Sequence, residues 1–311
     1  MSGITTQVNR LYKQGINVYT NLSSIGKILI ILIVILIVTL LFKNMSNKEY
    51  FEQQQDFLFK TNPKDIYDDA YASVYDYLTF DHIKNEYEIG AIINSTKPNS
   101  FSKILDIGSG NGHHVANMSQ NNLEVMGIDI SPSMIKQSKK QYPKYDFKVA
   151  DASDPNILSA NTYTHILCLQ NTIYYFKNKF DFFKNCMKWL MPGGYLIVHI
   201  IDRDKILNNL TYNKKLFTNT NDKYISKTSQ GQVSYSSDFK LDKHTNTATF
   251  TENIKYKNNN KIRTNKHTLY VNTINSITQE AMRSGLILHE IVDLLGCQYE
   301  YEYLYIFTKP N

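Results

Sequence analysis

Asp106-Ile107-Gly108-Ser109-Gly110-Asn111-Gly112 follows the apolar run KILDI at Lys103–Ile107 and precedes a helical pattern that reaches Met118. A short, continuously apolar run ending in a glycine-rich turn reads as a buried parallel strand. The glycines allow a tight turn and close backbone approach to a ligand, and the helix start supplies free N–H donors. A dinucleotide turn is spaced G-x-G-x-x-G. Here the third glycine comes one position early, at Gly112, and His113 stands where it would be needed. An acid also lies two residues before the first glycine. A pyrophosphate disfavours that carboxylate, whereas a ligand with a cationic amino group favours Asp106. The spacing therefore argues against a nicotinamide dinucleotide.

Outward from this turn, strands and helices alternate. EVMGID at Glu124–Asp129 is a second strand, and Ser131-Pro132 sets a helix N-cap followed by proline at the first helical position. Strands are expected at 147–150 and 165–169, an amphipathic helix at 180–190 stopped by Met191-Pro192-Gly193-Gly194, and a fifth strand at 195–201. Upstream, 44–63 reads as a polar linker, and 64–93 as helical, with Tyr67, Tyr71 and Tyr75 on one face. This alternation predicts a doubly wound α/β sheet. Residues 203–272 lose the helical period and alternate in short stretches, which predicts a small antiparallel β insert. Ser276-Ile277-Thr278-Gln279 reads as a capping box opening a helix that stops at Gly285. Strands near 286–294 and 301–307 close the chain.

On these residues the chain resembles the class I S-adenosylmethionine-dependent methyltransferases, over about 67–198 and the tail after Thr273. The resemblance implies a seven-stranded sheet with an antiparallel last strand and S-adenosyl-L-methionine as cofactor. It implies that Asp106, Gly108, Gly110 and Gly112 form the cofactor turn and that Asp129, 17 residues after Gly112, holds both ribose hydroxyls. Ile130 would then pack on the adenine, Asp151 contact its amino group and Ala152 donate a backbone N–H. Leu169 and Gln170 would lie beneath the transferred methyl, and the helix carrying Tyr71 and Tyr75 would cover the cofactor.

The catalytic group is less constrained. Methyl transfer from a sulfonium is in-line, so alignment supplies much of the acceleration, and a base is needed only for a protonated nucleophile. His199, at the end of the fifth strand, is a candidate base or a strand histidine held by a neighbour. Tyr174 and Tyr175 are candidates to line an acceptor pocket or to pack in the core. His113 and His114 read as helix-capping or surface residues, with no carboxylate or cysteine spaced to complete a metal site.

Charge and apolar patterning bound the rest. The 311 residues carry 34 Lys+Arg and 28 Asp+Glu, a net +6. Four of those cations and no acid fall within 1–43, leaving +2 for the remainder, which argues against long nucleic acid as a partner. The stretch 203–267 carries 13 Lys/Arg against 5 Asp/Glu. It reads as a solvated basic surface or as a face turned to anionic lipid or an acidic substrate. Three scattered cysteines indicate neither a disulfide framework nor a zinc site. ILIILIVILIVTLLF at 28–42, bracketed by Lys27 and Lys43, reads as a single membrane anchor within 25–43, after a tail at 1–24. Its length also admits a signal-peptide core or a buried helix, but no small-residue cleavage site follows and no face is polar. Flanking basic residues tie in number, so orientation rests on the resemblance, because a cytosolic cofactor places the C-terminal domain in the cytosol. Three functions follow for test: a membrane-anchored methyltransferase acting on a small-molecule, lipid or membrane-proximal protein acceptor; a catalytically inactive module that binds the cofactor; and a dinucleotide oxidoreductase, disfavoured by His113.

Overall fold

The structure, a computed structural model, describes residues 20–29, 32–37, 39, 57–205, 218–220, 223–230, 233–257 and 259–311. The chain divides into Met1–Phe57 and Leu58–Asn311. In the first unit, residues 24–29 and 32–37 are helical, and Ile28, Leu29 and every side chain from Leu32 to Ile37 are at least half exposed. Among the described residues no helix is long and apolar enough to cross a membrane. The anchor read at 25–43 is thus described only in part. Residues 30, 31, 38 and 40–43, most of the tail at 1–24 and most of the linker lie outside the described residues.

In the second unit, a seven-stranded sheet carries the fold. Strands β2 (Lys103–Ile107), β3 (Glu124–Asp129), β4 (Asp146–Val149), β5 (Tyr163–Cys168) and β6 (Leu190–Ile201) run parallel. Strand β13 (Glu302–Thr308) is antiparallel to both its neighbours, β6 and β12 (Ile287–Asp293), so that β12 runs in the same sense as the parallel strands; the order is β12-β13-β6-β5-β2-β3-β4. This is the doubly wound α/β sheet expected from the alternation, with the seven strands and the antiparallel last strand that the resemblance implies. Leu105, Ile107, Ile166, Cys168, Leu196 and Val198 are at most 2% exposed and form the centre of one face. The other face buries Ile104, Leu167 and Ile197. Their continuous apolar runs reflect a sheet covered on both sides.

The helices that matter for the site begin at side-chain caps. Asp68 caps α2 (Asp69–Thr79), Asp81 caps α3 (His82–Thr96) and Ser131 caps α5 (Pro132–Gln141). The region read as one helical stretch over 64–93 is therefore broken: α1 (Pro63–Ile66) precedes α2 and α3, and each aspartate satisfies the first N–H groups of a new helix. Between them in chain order from α3 to α5, α4 (His113–Gln120) starts at Gly112. Downstream, α6 (Lys179–Trp189) passes straight into β6, so Met191–Gly194 lies inside the strand rather than before it. The capping box read at Ser276 is also displaced. Helix α7 (Ile274–Arg283) is capped by Thr273, whose Oγ1 accepts from Ser276 N, so Ser276 is already in the first turn.

The insert forms a six-stranded sheet in the order β1-β11-β10-β9-β8-β7, from β1 (Phe57–Lys60), β7 (Thr218–Thr220), β8 (Lys223–Gln230), β9 (Val233–Asp242), β10 (Thr247–Tyr256) and β11 (Ile262–Tyr270). Its strands from β7 to β11 pair antiparallel, as the alternation predicts. The first strand corrects the linker reading, because Phe57–Lys60 adds an edge to this sheet. Two of the insert's cations are not on a solvated face. Arg263 is 1% exposed and pairs with Asp68 Oδ1 at 2.6 Å, and the buried Arg203 bonds Asn246 and the carbonyls of Val271 and Lys243.

Candidate functional site

A cavity opens at the C-terminal ends of the parallel strands, where an open α/β sheet places its ligand. The end of β2 lines it with Asp106 and the loop that follows with Gly108 and Gly110, while Asp129 ends β3 and Ile130 comes next. Asp151 and Ala152 enter after β4, and Leu169 and Gln170 after β5. Tyr75 reaches it from α2. Ten of the residues proposed from sequence as cofactor-binding thus surround one space.

Backbone geometry explains the first glycine. Gly108 has φ +72°, and a Cβ there would come within 2.6 Å of the Thr172 side chain, itself a cavity wall. Gly112 acts differently and does not line the cavity. With φ +89° it is the N-cap of α4, and a Cβ would meet Phe147 at 2.6 Å and Ser138 at 3.1 Å. It lets the turn pack on β4 and α5. Gly112→Ala is expected to lower stability by about 1–3 kcal/mol, from backbone strain and overpacking, with a lower midpoint in chemical denaturation.

Two of the carboxylates that line the cavity, Asp129 and Asp106, stand beside the glycine turn. Asp129 Oδ2 accepts from Gly110 N at 3.1 Å and Oδ1 from Ser131 N at 2.8 Å, which fixes the carboxylate at the rim of β3. Burial raises its pKa, and the two backbone donors only partly oppose that. Asp106 is 2% exposed, and its Oδ2 is buried without a hydrogen-bond partner among the protein's groups. Burial pushes its pKa up to about 6, with Asp129 and Glu88 adding to the rise and His114 opposing it. A buried acceptor with no partner is costly and invites a donor.

Besides Gly112, three sequence candidates lie outside the cavity's lining. Tyr71 is 2% exposed and donates from its hydroxyl to Glu252, with Oε1 at 2.8 Å and Oε2 at 2.7 Å, so it faces the insert. Tyr174 accepts from Ile201 N at 2.7 Å and donates to Ile201 O, which pins the end of β6 beneath the loop. His199 is fully buried. Its Nδ1 accepts from Asn171 N at 3.3 Å, so the proton sits on Nε2 and is donated to Glu302 Oε2 at 2.9 Å. Neither Tyr174 nor His199 reaches the cavity. His199 instead holds the turn in which Gln170 and Asn171 both adopt positive φ, +46° and +67°.

Of the two tyrosines read as candidates to line an acceptor pocket, Tyr175 lines the cavity. The structure adds Tyr67, Thr172 and Phe176, which the sequence reading did not single out as ligands and which with Tyr175 complete the cavity's aromatic end. Across it, His113 stacks on Phe80 at 3.7 Å between centroids, and its Nε2 lies 3.0 Å from Asp76 Oδ2. Asp76 also accepts from Asn111 Nδ2 at 2.8 Å, which ties α2 to the glycine loop. For Tyr67 the signal was the Tyr67/Tyr71/Tyr75 spacing, which marks a face without saying what it meets. The insert contributes no lining residue among those described. It reaches the cavity through Tyr67 and Tyr175.

Residues 105–198 match the family model described as a methyltransferase domain. Phosphoethanolamine N-methyltransferase 1 of Triticum aestivum is 31% identical over 101 residues, which is 31% of this chain and 20% of that protein. The aligned stretches span between 20% and 45% of the lengths of the curated relatives matched. Among solved structures, an S-adenosylmethionine-dependent methyltransferase from Clostridium acetobutylicum superposes with a TM-score of 0.62 at 16% identity. It covers 78% of this chain and 98% of its own. CalS10, an amino pentose methyltransferase from Micromonospora echinaspora solved with S-adenosylmethionine bound, gives 0.57 at 15% identity over 77% and 96%. The cavity fits S-adenosylmethionine, the cofactor these comparisons support. The unpartnered Oδ2 of Asp106 suits an ammonium donor, and the fixed Asp129 carboxylate suits paired hydroxyls.

Proposed function

We propose, from a class I methyltransferase domain that takes S-adenosylmethionine, that the chain is a membrane-anchored methyltransferase acting on a small acceptor held at the aromatic end of the cavity. The observation that carries the reading is the Asp106 carboxylate, buried in the wall of the same cavity as Asp129 with one oxygen lacking a protein partner. Bound there, the cofactor supplies an electrophilic methyl group. Asp106 would hold its amino group, Asp129 its ribose hydroxyls, and Ile130, Asp151 and Ala152 its base. Leu169 and Gln170 would form the floor near the acceptor, and Tyr67, Tyr175 and Phe176 the opposite wall. Enclosure by these side chains would exclude water and align the acceptor, which supplies much of the acceleration for an activated donor.

A small acceptor is favoured by a cavity whose wall joins the cofactor residues to the aromatic side chains, and by two relatives whose names specify small acceptors, phosphoethanolamine and an amino pentose. Anchoring is supported by the apolar run at 28–42 and by the exposure of Ile28, Leu29 and Leu32–Ile37 in the described helical stretches. The domain is proposed to face the cytosol, where the cofactor is made.

Calorimetry on the full chain in detergent tests the reading, with S-adenosylmethionine, S-adenosylhomocysteine and NAD in parallel. Micromolar binding of the adenosyl ligands alone is expected, and no binding by folded protein would overturn it. Transfer of labelled methyl to phosphoethanolamine or an amino pentose would separate an enzyme from a cofactor-binding module. Protection of the domain from protease in sealed vesicles would sink the topology. The Asp106 carboxylate also sets a pH dependence. Its pKa near 6 means that below pH 6 a proton competes with the ligand's ammonium. S-Adenosylmethionine affinity is expected to fall roughly tenfold per pH unit below that point and level off above it. Asp106→Asn should bind more weakly at pH 7.5 and lose this dependence.

A further inference from the structure

We propose that Tyr67, Tyr175, His267 and Glu252 form a one-directional proton-accepting chain that serves an acceptor with an N–H or O–H nucleophile. The inference rests on the methyltransferase reading above and names the substrate class that reading leaves open.

The geometry comes from the insert. On paired strands β10 and β11, Glu252 stands opposite Asn265 and Phe250 opposite His267, so Glu252 and His267 are diagonal neighbours on one face. Both are 1% exposed, and His267 Nε2 lies 2.8 Å from Glu252 Oε2. His267 Nδ1 lies 2.7 Å from Tyr175 Oη, which lies 2.9 Å from Tyr67 Oη. The two tyrosines line the cavity.

The direction follows from donor counting. Glu252 accepts from Tyr71, Tyr235 and Asn265 as well as from His267, and these donors hold it ionised. Burial pushes its pKa upward, but the bonds from His267, Tyr71 and Tyr235 more than offset this and leave it below the usual glutamate value. An ionised carboxylate only accepts, so Nε2 of His267 carries a proton. A ring that is to take the acceptor's proton at Nδ1 has that nitrogen bare, so Tyr175 donates to it. A phenol has one proton, so Tyr67 donates to Tyr175. Every donor points toward Glu252, and the oxygen of Tyr67 is left as the acceptor at the cavity end. Burial raises the pKa of both phenols, so they pass a proton rather than keep the charge.

In the step, the acceptor's X–H bond breaks and its proton goes to Tyr67 Oη. The proton of Tyr67 moves to Tyr175, and that of Tyr175 to His267 Nδ1. The electron pair stays on X and takes the methyl group, while the donor's sulfur keeps the C–S pair. The positive charge that was on sulfur ends on imidazolium. Glu252 is ion-paired to that ring and is the buried countercharge that stabilises it. Besides Glu252 and the two chain tyrosines, the groups around this centre are Tyr71, Tyr235 and Arg263, the last bound to Asn265 and Asp68. Tyr67 is the catalytic residue of the chain, and His267 and Glu252 act through it.

The test uses the full chain in detergent, labelled with nitrogen-15 at histidine, with His267→Gln for assignment. At pH 7.5 the His267 ring should show a protonated Nε2 and an unprotonated Nδ1, and Tyr175→Phe should shift the Nδ1 resonance. An imidazolium, or a ring protonated at Nδ1, overturns the proposal, and this measurement needs neither donor nor acceptor. With phosphoethanolamine or an amino pentose and labelled donor, Tyr175→Phe and His267→Gln should each lower kcat about 10²- to 10³-fold. KM and S-adenosylmethionine affinity should stay unchanged, and the variants should lose the acid limb of the pH–rate profile, the rise with pH that an unprotonated base imposes. A kcat within twofold of wild type in Tyr175→Phe overturns it. Failure of the methyltransferase reading would register separately, as loss of cofactor binding in calorimetry of the unaltered chain.

Discussion

Lys84→Met is expected to lower folding stability by roughly 3–5 kcal/mol, because it strands buried carboxylates without their cation. Lys84 is 1% exposed on α3 and places Nζ 2.6 Å from Glu302 Oε2, 4.0 Å from Glu88 Oε1 and 4.1 Å above the Tyr299 ring. Glu88 also binds His114 Nε2 at 2.9 Å, and Glu302 binds His199 Nε2 at the same distance. The cluster ties α3, α4, β6 and β13 together beneath the cofactor loop. Burial raises the Glu302 pKa, but Lys84 and His199 outweigh that and bring it down to about 2. A carboxylate whose folded pKa lies below its ordinary 4.5 contributes stability above that value and loses it as pH falls toward 2. Chemical denaturation from pH 3 to 8 should therefore show wild-type stability falling below about 4.5, with Lys84→Met weaker at neutral pH and its acid limb moved upward. An unchanged denaturation midpoint at pH 7 would show that the cluster carries no net stability.

Asp129→Ala is expected to weaken S-adenosylhomocysteine binding by roughly 10- to 150-fold, the loss of a charge-assisted hydrogen-bonded contact worth about 1.5–3 kcal/mol. The carboxylate also organises Gly110 N and Ser131 N, so its removal loosens the loop that meets the ligand as well as the contact itself. Asp129→Asn should fall between the two, since it keeps an acceptor and loses the charge. Calorimetry on both variants reads the effect, and affinity equal to wild type in Asp129→Ala would remove this residue from the site.

The glycine-rich turn, Asp129 at the end of β3 and the apolar strands were legible because each is a local pattern with a local cause. A buried parallel strand reads as an apolar run, a ligand turn needs glycine, and a helix start needs a cap. Local patterns failed where a second element decides the outcome. Tyr71 and Tyr75 share a helix face at the same spacing, yet Tyr75 lines the cavity and Tyr71 donates to Glu252, 181 residues away. His199 sits at a strand end that suits a catalytic base, but Glu302 on β13 engages one nitrogen and Asn171 N the other. The capping box at Ser276 was displaced because Thr273 offers the same hydroxyl three residues earlier.

The sequence by itself determined the sheet, the cofactor turn and the antiparallel character of the insert, since periodicity and glycine placement are properties of neighbouring residues. Only the tertiary structure decided which buried polar side chains meet. The Glu252–His267–Tyr175–Tyr67 chain and the Lys84 cluster each join residues from distant segments, and desolvation makes such groups depend on whichever partner the fold brings within hydrogen-bond distance.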